Sequence, residues 1–273
     1  MSHRPIGIFD SGIGGLTVLR KIEALLPHEN LIYFGDTARV PYGTKSPRKI
    51  REFALQASLL LMKQDVKCVV AACNTVTALA LDFLRDTFKV PFIGVIDPGV
   101  RAALQATRTG SIGVIGTAAT IREHLYAHLL TRYNHHITVR EQACPLLVPL
   151  AEEGIFTGPL VEQALALYFP PLQEASVDTL ILGCTHYPLL QDAMQHYLGD
   201  AVTMVDSAGA TAEALQTLLR EEELTNTAES QGTVTFSLSD VHPHFAQLTE
   251  QFLGRRVDTV NILQADNPEN YLG

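Results

Sequence analysis

Two cysteines stand in matching local sequences and are the residues best suited to acid–base chemistry. Cys73 is followed by Asn74-Thr75, and Cys184 is followed by Thr185-His186. A free thiol has a pKa of about 8.5, so modest tuning makes it a usable base near neutral pH. Each cysteine ends a predicted strand just before a predicted helix N-terminus, where backbone N–H groups lower a thiol pKa. One such cysteine alone is more often a packing residue, but the matching pair predicts two reactive thiols.

The remaining cysteines, Cys68 and Cys144, lack that pattern. Cys68 begins an apolar strand, and Cys144 lies beside Pro145 in an apolar segment, so both are predicted to be packing residues. All four cysteines are far apart in sequence, without a C-x-x-C pair. This spacing disfavours both a disulfide framework and a zinc ribbon, and no metal site is predicted.

The elements that must position the two thiols are short apolar strands alternating with helices. Strands are predicted at residues 6–10, 31–34, 67–72, 92–95, 111–115, 137–141, 179–182 and 202–205. Helical spacing is found at residues 16–26, 47–63, 118–130 and 208–220. Continuous apolar strands separated by helices predict an α/β fold whose mainly parallel sheets are covered on both faces. Ligands bind such sheets at the carboxyl ends of the strands, which is where both cysteines lie.

A weak internal repeat suggests that the chain contains two related halves. Residues 69–75 resemble residues 180–186, and residues 7–11 resemble residues 113–117, with similar separations in both halves. The simplest interpretation is two similar α/β domains, each offering one cysteine at the end of a strand.

Turn residues cluster at positions 97–99 and 206–209, where the chain is expected to cross between domains. The predicted domains are therefore residues 1–97 plus 208–273, and residues 98–207.

The segment after Arg220 is less regular than the chain before it. The polar stretch 221–231 is predicted to be a solvated linker. Residues 233–237 and 257–263 predict a late strand pair around a short helix, which completes the first domain.

The composition excludes several classes of partner. The net charge is −9 without a dense run of Lys or Arg, which argues against a nucleic-acid partner. No apolar run reaches the ~20 residues needed to span a bilayer, and the N-terminus shows no signal region. With 47% hydrophobic and 18% charged residues, a globular cytoplasmic protein without a membrane partner is expected.

Four segments resemble glutamate racemases of the aspartate/glutamate racemase family, in the family's order and spacing. They are residues 7–16 (GIFDSGIGGL), 40–43 (VPYG), 72–75 (ACNT) and 183–188 (GCTHYP). The resemblance extends from residue 6 to about residue 209. It implies two α/β domains with the active site in the cleft between them, racemisation of L-glutamate to D-glutamate for peptidoglycan, no cofactor, and assembly as a homodimer.

The resemblance also implies roles for individual residues. Cys73 and Cys184 would face opposite sides of the substrate, with Asp10, Glu152 and His186 as further catalytic residues. The substrate-binding positions that match the family are Asp10, Ser11, Pro41, Tyr42, Gly43, Asn74, Thr75, Thr117, Thr120, Thr185 and His186.

The chemistry explains why these residue types are useful. Inverting a stereocentre removes the α-proton from one face and returns a proton to the other, which two opposed thiols can do. Hydroxyls and backbone N–H groups would stabilise the developing carbanion around the carboxylate. Asp10 and His186 would tune the protonation of the neighbouring thiols.

Other interpretations of the same residues remain open. An aspartate racemase would share the paired cysteines, but typically has Glu where this chain has His186. A hydrolase or amidase could use Cys184 as nucleophile with His186 as base, although residues two apart on a loop rarely align and Cys73 is then unexplained. A non-enzymatic amino-acid binder is the third alternative. Asp36 is predicted either to line the cleft or to cap the turn before Arg39.

Overall fold

The computed structural model describes residues 3–241, 245–257 and 259–263. The strands are β1 Ile6–Asp10, β2 Leu31–Gly35, β3 Cys68–Ala71, β4 Phe92–Gly94, β5 Ser111–Gly116, β6 Thr138–Ala143, β7 Thr179–Gly183, β8 Thr203–Val205, β9 Val234–Leu238 and β10 Asn261–Ile262. The helices are α1 Leu16–Leu25, α2 Pro47–Met62, α3 Asn74–Thr87, α4 Ile96–Ala106, α5 Ala118–Arg122, α6 Leu125–Tyr133, α7 Leu147–Glu152, α8 Pro159–Tyr168, α9 Pro170–Glu174, α10 Gln191–Leu198, α11 Ser207–Glu221 and α12 Phe245–Leu253.

The strands form two parallel sheets that contain the same four-strand arrangement. The first sheet has the order β10-β9-β2-β1-β3-β4, and the second has the order β6-β5-β7-β8. Every strand pair is parallel. The order β2-β1-β3-β4 is matched by β6-β5-β7-β8, so β1 corresponds to β5 and β3 to β7. The predicted fold class of two similar α/β units is confirmed, and the sequence repeat is visible in the topology.

Both faces of the first sheet are covered, as the apolar strands predict. In β3, Cys68 and Val70 belong to the core on one face, while Val69 and Ala71 belong to the core on the other. This alternation is the two-residue period of a strand buried on both sides. Cys68 is fully buried in that core, as expected of a packing residue.

The prediction of one continuous helix at residues 118–130 is wrong, because this segment forms two helices, α5 and α6. Thr117 caps α5 by accepting a hydrogen bond from the backbone N–H of Thr120 at 3.2 Å. His124 then adopts a left-handed conformation with φ 53° and separates α5 from α6. A left-handed residue ends a helix, and helical periodicity in the sequence does not reveal such a break.

The prediction of a solvated linker at residues 221–231 is also wrong in part. Helix α11 continues to Glu221, and Asn226 is buried. Lys67 donates a hydrogen bond to the carbonyl of Leu224 at 2.7 Å, and Glu29 accepts one from the backbone N–H of Asn226 at 2.8 Å. Lys67 and Glu29 also form a buried ion pair. The linker is therefore anchored to the first sheet rather than free in solvent.

The C-terminal segment joins the first sheet. Strand β9 pairs with β2, and β10 pairs with β9, with α12 between them. The late strand pair is confirmed, although the second strand is limited to Asn261–Ile262 and position 258 lies outside the described residues. The predicted domain boundaries near residues 97 and 207 remain a prediction. The two connections run side by side, since an added Cβ at Gly99 would meet the Cβ of Ser207 at 3.0 Å.

Of the helices that the structure describes, none has the length and apolar character required to cross a bilayer.

Candidate active site

The carboxyl ends of four strands, two from each sheet, meet at one cleft. Ser11 follows β1, Cys73 follows β3, Thr117 follows β5 and Cys184 follows β7. The cleft is nearly closed, with a cavity of about 20 Å³. Its lining consists of Ser11, Val40, Pro41, Tyr42, Gly43, Cys73, Asn74, Thr75, Thr117, Val148, Cys184, Thr185 and His186. Both predicted thiols therefore face the same cavity, one from each sheet.

Cys73 lies directly before α3 and is buried. Its Sγ donates a hydrogen bond to the Ser11 hydroxyl at 3.6 Å. Burial, followed by the nearby charge of Asp10, raises the pKa of Cys73 to about 12, although the backbone N–H of Val76 acts in the opposite direction. The helix N-terminus does act to lower this pKa, but the expectation of a lowered Cys73 pKa is wrong, because removal from water outweighs one backbone N–H group.

Cys184 is buried next to an imidazole. Its Sγ lies 3.8 Å from Nδ1 of His186, and Nε2 of His186 lies 3.3 Å from Oε1 of Glu152. The second contact is close enough for an ion pair but too poorly aligned for a hydrogen bond. The expectation that residues two apart would not align is wrong here. Cys184 is followed by the 3₁₀ turn Tyr187–Leu190 rather than by an α-helix, so the match to Cys73 is incomplete.

The protonation of His186 depends on these two neighbours. Burial alone lowers the pKa of His186, but the contacts with Cys184 and Glu152 outweigh it and raise the pKa to about 10. With a pKa of about 10, His186 stays protonated throughout the neutral range. The positive imidazolium therefore lies directly beside the Cys184 sulfur.

Asp10 lies behind the cleft surface rather than on it, and it is fully buried. Its Oδ2 accepts hydrogen bonds from the backbone N–H groups of Gly12 and Gly15, both at 3.1 Å. Oδ1 has no hydrogen-bond partner among the described residues. Burial raises the pKa of Asp10, while the charge of His186 and the backbone N–H groups oppose that rise.

Three threonine hydroxyls join the two sheets next to the cleft. Thr75 on α3 contacts Thr117 at 3.0 Å and Thr120 at 3.1 Å, and Thr117 contacts Thr120 at 3.0 Å. Thr75 and Thr117 line the cavity, whereas Thr120 supports them from behind. These hydroxyls satisfy one another in the closed cleft, and a polar ligand could replace part of this arrangement.

The segment Val40–Gly43 forms one wall of the cleft. The Tyr42 hydroxyl donates a hydrogen bond to the Asp36 carboxylate, which also accepts one from Nε of Arg39 at 2.6 Å. Asp36 thus supports the wall from behind, without lining the cleft and without a side-chain cap on the turn. A Cβ at Gly43 would lie 2.5 Å from the Cβ of Thr117, so only glycine allows this wall to approach the second sheet.

Some residues at the cleft were not predicted from sequence. Val148 on α7 lines the cavity, and Val40 does so beside the predicted Pro41. Tyr126 on α6 donates a hydrogen bond to Oδ1 of Asn74 at 2.6 Å. Phe252 on α12 packs edge-on against His186, with the ring centroids 5.5 Å apart. Apart from the recognised segment that contains Val40, nothing in the sequence distinguishes these from ordinary core residues.

The other predicted residues occupy consistent places. Glu152 lies behind His186 and does not line the cleft. Asp10 and Thr120 also lie outside the cleft lining. Cys144 is buried, and its Sγ donates to the carbonyl of Gln142 at 3.6 Å, as suits a packing residue. Within the described part of the chain, no three His, Cys, Asp or Glu side chains come together as metal ligands.

Two parallel sheets of one topology, each contributing a thiol to a shared cleft, define a two-domain α/β enzyme with paired cysteines. Residues 6–215 match the family model described as Asp/Glu/hydantoin racemase, and the chain belongs to that family. It is an amino-acid racemase.

Individual relatives agree with this assignment along nearly the whole chain. A glutamate racemase of Geobacter metallireducens is 47% identical over 260 residues, covering 95% of this chain and 96% of the relative. The crystal structure of glutamate racemase from Francisella tularensis in complex with D-glutamate superposes with a TM-score of 0.91 at 37% identity, covering 97% of this chain and 99% of that one. Glutamate racemase RacE1 from Bacillus anthracis gives a TM-score of 0.89 at 36% identity, with 98% and 99% coverage.

Proposed function

We propose that this protein interconverts L- and D-glutamate by two-base proton transfer between Cys73 and Cys184. The observation that carries the proposal is that these two thiols, from equivalent strand ends of the two sheets, line one cleft. The relatives named as glutamate racemases support glutamate as the substrate. The product would supply peptidoglycan synthesis in the cytoplasm. Following the family resemblance, the proposal includes assembly as a homodimer and activity without a cofactor.

The reaction needs only proton transfers, and its atoms balance without an oxidant or a reductant. The thiolate of one cysteine removes the α-proton, forming an S–H bond and leaving the electron pair on the α-carbon. The thiol of the other cysteine then gives its proton to the opposite face of that carbon. The enzyme ends with the protonation of its two sulfurs exchanged, ready for the mirror-image substrate.

The charges around the two sulfurs support one acid and one base in the closed cleft. The protonated His186 places a positive charge beside the Cys184 sulfur. Burial and Asp10 keep Cys73 protonated by raising its pKa to about 12. L- and D-glutamate have equal free energies, so kcat/KM must be equal in both directions. The difference between the two thiols can therefore appear only in kcat and KM separately.

Polar groups on the cleft wall would stabilise the carbanion. Asn74 has a buried Nδ2 without a hydrogen-bond partner among the described residues, and the hydroxyls of Ser11, Thr75 and Thr117 line the same cavity. Preorganised donors aimed at a developing negative charge commonly provide a large share of catalysis. The proposal assigns these groups to the substrate carboxylates.

The proposal is tested by incubating the pure protein with L-glutamate in deuterated water, without added cofactor. We expect optical activity to disappear and the D-glutamate formed to carry one deuteron at the α-carbon. L-Aspartate in a parallel incubation separates the two racemase classes. No exchange with glutamate would refute the proposal, and faster exchange with aspartate would identify an aspartate racemase instead.

The proximity of Asp10 to Cys73 predicts a change in pH dependence. Asp10→Asn removes a negative charge that, after burial, is the second cause of the high Cys73 pKa. The Cys73 pKa should fall, so the thiolate forms at lower pH. For the enantiomer that gives its proton to Cys73, the acid limb of the kcat–pH profile should therefore move to lower pH.

The profile measured with the other enantiomer is the internal control, since there Cys184 acts as the base. Its acid limb should move less. Equal movement of both limbs, or movement of neither, would contradict a specific effect of Asp10 on Cys73.

A further inference from the structure

Asn74 presents a primary amide at the cleft, and its two ends have different environments. The side chain is 2% exposed, and Oδ1 accepts a hydrogen bond from the Tyr126 hydroxyl at 2.6 Å. Nδ2 is buried and has no hydrogen-bond partner among the described residues. A buried donor left unpaired is unfavourable, so an acceptor from a bound molecule is suited to this position.

The Tyr126 hydroxyl determines which end of the amide faces the cleft. Within the described part of the chain, Asn74 is its hydrogen-bond partner. If the amide were turned over, the hydroxyl would accept from Nδ2 and its own proton would be left unpaired in the core. Burial, with smaller contributions from Cys184 and Asp206, raises the pKa of Tyr126, so the hydroxyl remains a donor. The oxygen of the amide is thereby held against Tyr126, and the nitrogen is left for the cleft.

Tyr126 is itself held firmly in place. It is fully buried on α6, among the apolar residues of the second sheet. Its ring packs against Gly183, where an added Cβ would lie 3.2 Å from Cε2 of Tyr126. Gly183 immediately precedes Cys184, and Asn74 immediately follows Cys73. One side chain thus connects the strand ends that carry the two thiols.

We infer that Tyr126 is a positioning residue that fixes the polarity of the Asn74 amide, so that Nδ2 faces the cleft as a donor for a substrate carboxylate. With the reverse polarity, an amide oxygen would face the cleft and favour the substrate ammonium group instead. The inference rests on the proposed function, because it assigns a role toward the glutamate carboxylate. Asn74 and Tyr126 come from opposite sides of the cleft, so carboxylate recognition also depends on the approach of the two sheets.

The test is a double-mutant cycle of Tyr126→Phe and Asn74→Ala, with kcat and KM measured for both glutamate enantiomers. Tyr126→Phe keeps the ring and removes the hydroxyl, and we expect kcat/KM to fall roughly 5- to 20-fold. If Tyr126 acts through Asn74, the same change made in the Asn74→Ala protein should alter kcat/KM less than about twofold. The inference would be overturned if the two substitutions had multiplicative effects on kcat/KM, or if Tyr126→Phe alone had no effect.

Tyr187→Phe is the matched control. Tyr187 is also fully buried, and its hydroxyl donates to the carbonyl of Cys144 at 2.9 Å, away from Asn74. A similar loss of thermal stability is expected, without the loss of kcat/KM seen for Tyr126→Phe. An equal loss of kcat/KM in both variants would indicate a general packing effect and overturn the inference.

A crystal structure of the wild-type protein with D-glutamate gives a second measurement that does not depend on a variant folding. We expect a carboxylate oxygen within about 3 Å of the Asn74 amide, with the Tyr126 hydroxyl on the other end of that amide. The ammonium nitrogen at that position would overturn the inference while leaving the proposed function intact. A wild-type protein that fails to exchange the α-proton of glutamate would overturn the proposed function, and the inference with it.

Discussion

Replacing either Cys73 or Cys184 by serine is expected to reduce racemisation roughly 10²- to 10⁴-fold, the range typical of losing a positioned acid or base. A serine hydroxyl is a far weaker acid than a thiol and is not ionised near neutral pH. Within each variant, kcat/KM should fall by the same factor in the two directions, because the enantiomers have equal free energies. The measurement is the initial rate of change in circular dichroism from each enantiomer.

Halide elimination from a halogenated substrate separates the roles of the two sulfurs. Each single variant keeps one intact thiol, so a fluorinated or chlorinated substrate that eliminates halide after proton removal should react from one face only. Cys144→Ser is the matched control, since Cys144 is also buried but lies outside the cleft lining. Loss of activity in only one of the two cleft variants would refute the two-base proposal, and loss in the Cys184 variant alone would favour a single nucleophile at Cys184.

Gly14→Ala is expected to reduce kcat/KM about 10²-fold. An added Cβ at Gly14 would lie 2.4 Å from Oγ1 of Thr185 and 2.7 Å from Nδ1 of His186. Contacts this short force Thr185 and His186 to move, and His186 Nδ1 is the atom beside the Cys184 sulfur. A displacement of about 1 Å at a reacting group commonly costs about 10²-fold in rate. Steady-state kinetics with both enantiomers checks the result.

Gly209→Ala provides the opposite case. Gly209 lies within α11, and its added Cβ would meet no described atom within 4 Å other than those of its chain neighbours and the backbone of its own helix. Alanine should stabilise the protein by about 0.5–1 kcal/mol, because glycine has a poor helix propensity. Activity should be unchanged.

Wild-type activity in Gly14→Ala would contradict the first of these two predictions. It would show that the loop can move away, and that the position of His186 is not critical.

The sequence predicted the architecture well because its signals are local. Continuous apolar strands such as residues 6–10 and 179–182, each followed by a polar turn, are sufficient to predict parallel sheets with a site at their carboxyl ends. The matching segments around Cys73 and Cys184 predicted two related units. Family motifs then pointed to most of the cleft lining, since those motifs are contiguous stretches of chain.

Other features were outside the reach of local patterns. The break at His124 is a single left-handed residue within a helical periodicity, and Asn226 is buried only because Lys67 and Glu29 lie elsewhere in the chain. Tyr126 resembles any core tyrosine until folding places its hydroxyl on Asn74, 52 residues away.

The types of chemical group at the site, and their places at strand ends, follow from the order of amino acids along the chain. Their protonation and orientation follow only from the folded arrangement. Its position before a helix N-terminus predicts a lowered pKa for Cys73, yet burial and the charge of Asp10 raise that pKa. Contacts with Cys184 and Glu152 raise the pKa of His186, so the imidazole stays protonated. Desolvation and Coulomb interactions depend on distances through space, and those distances are set by the packing of the two sheets.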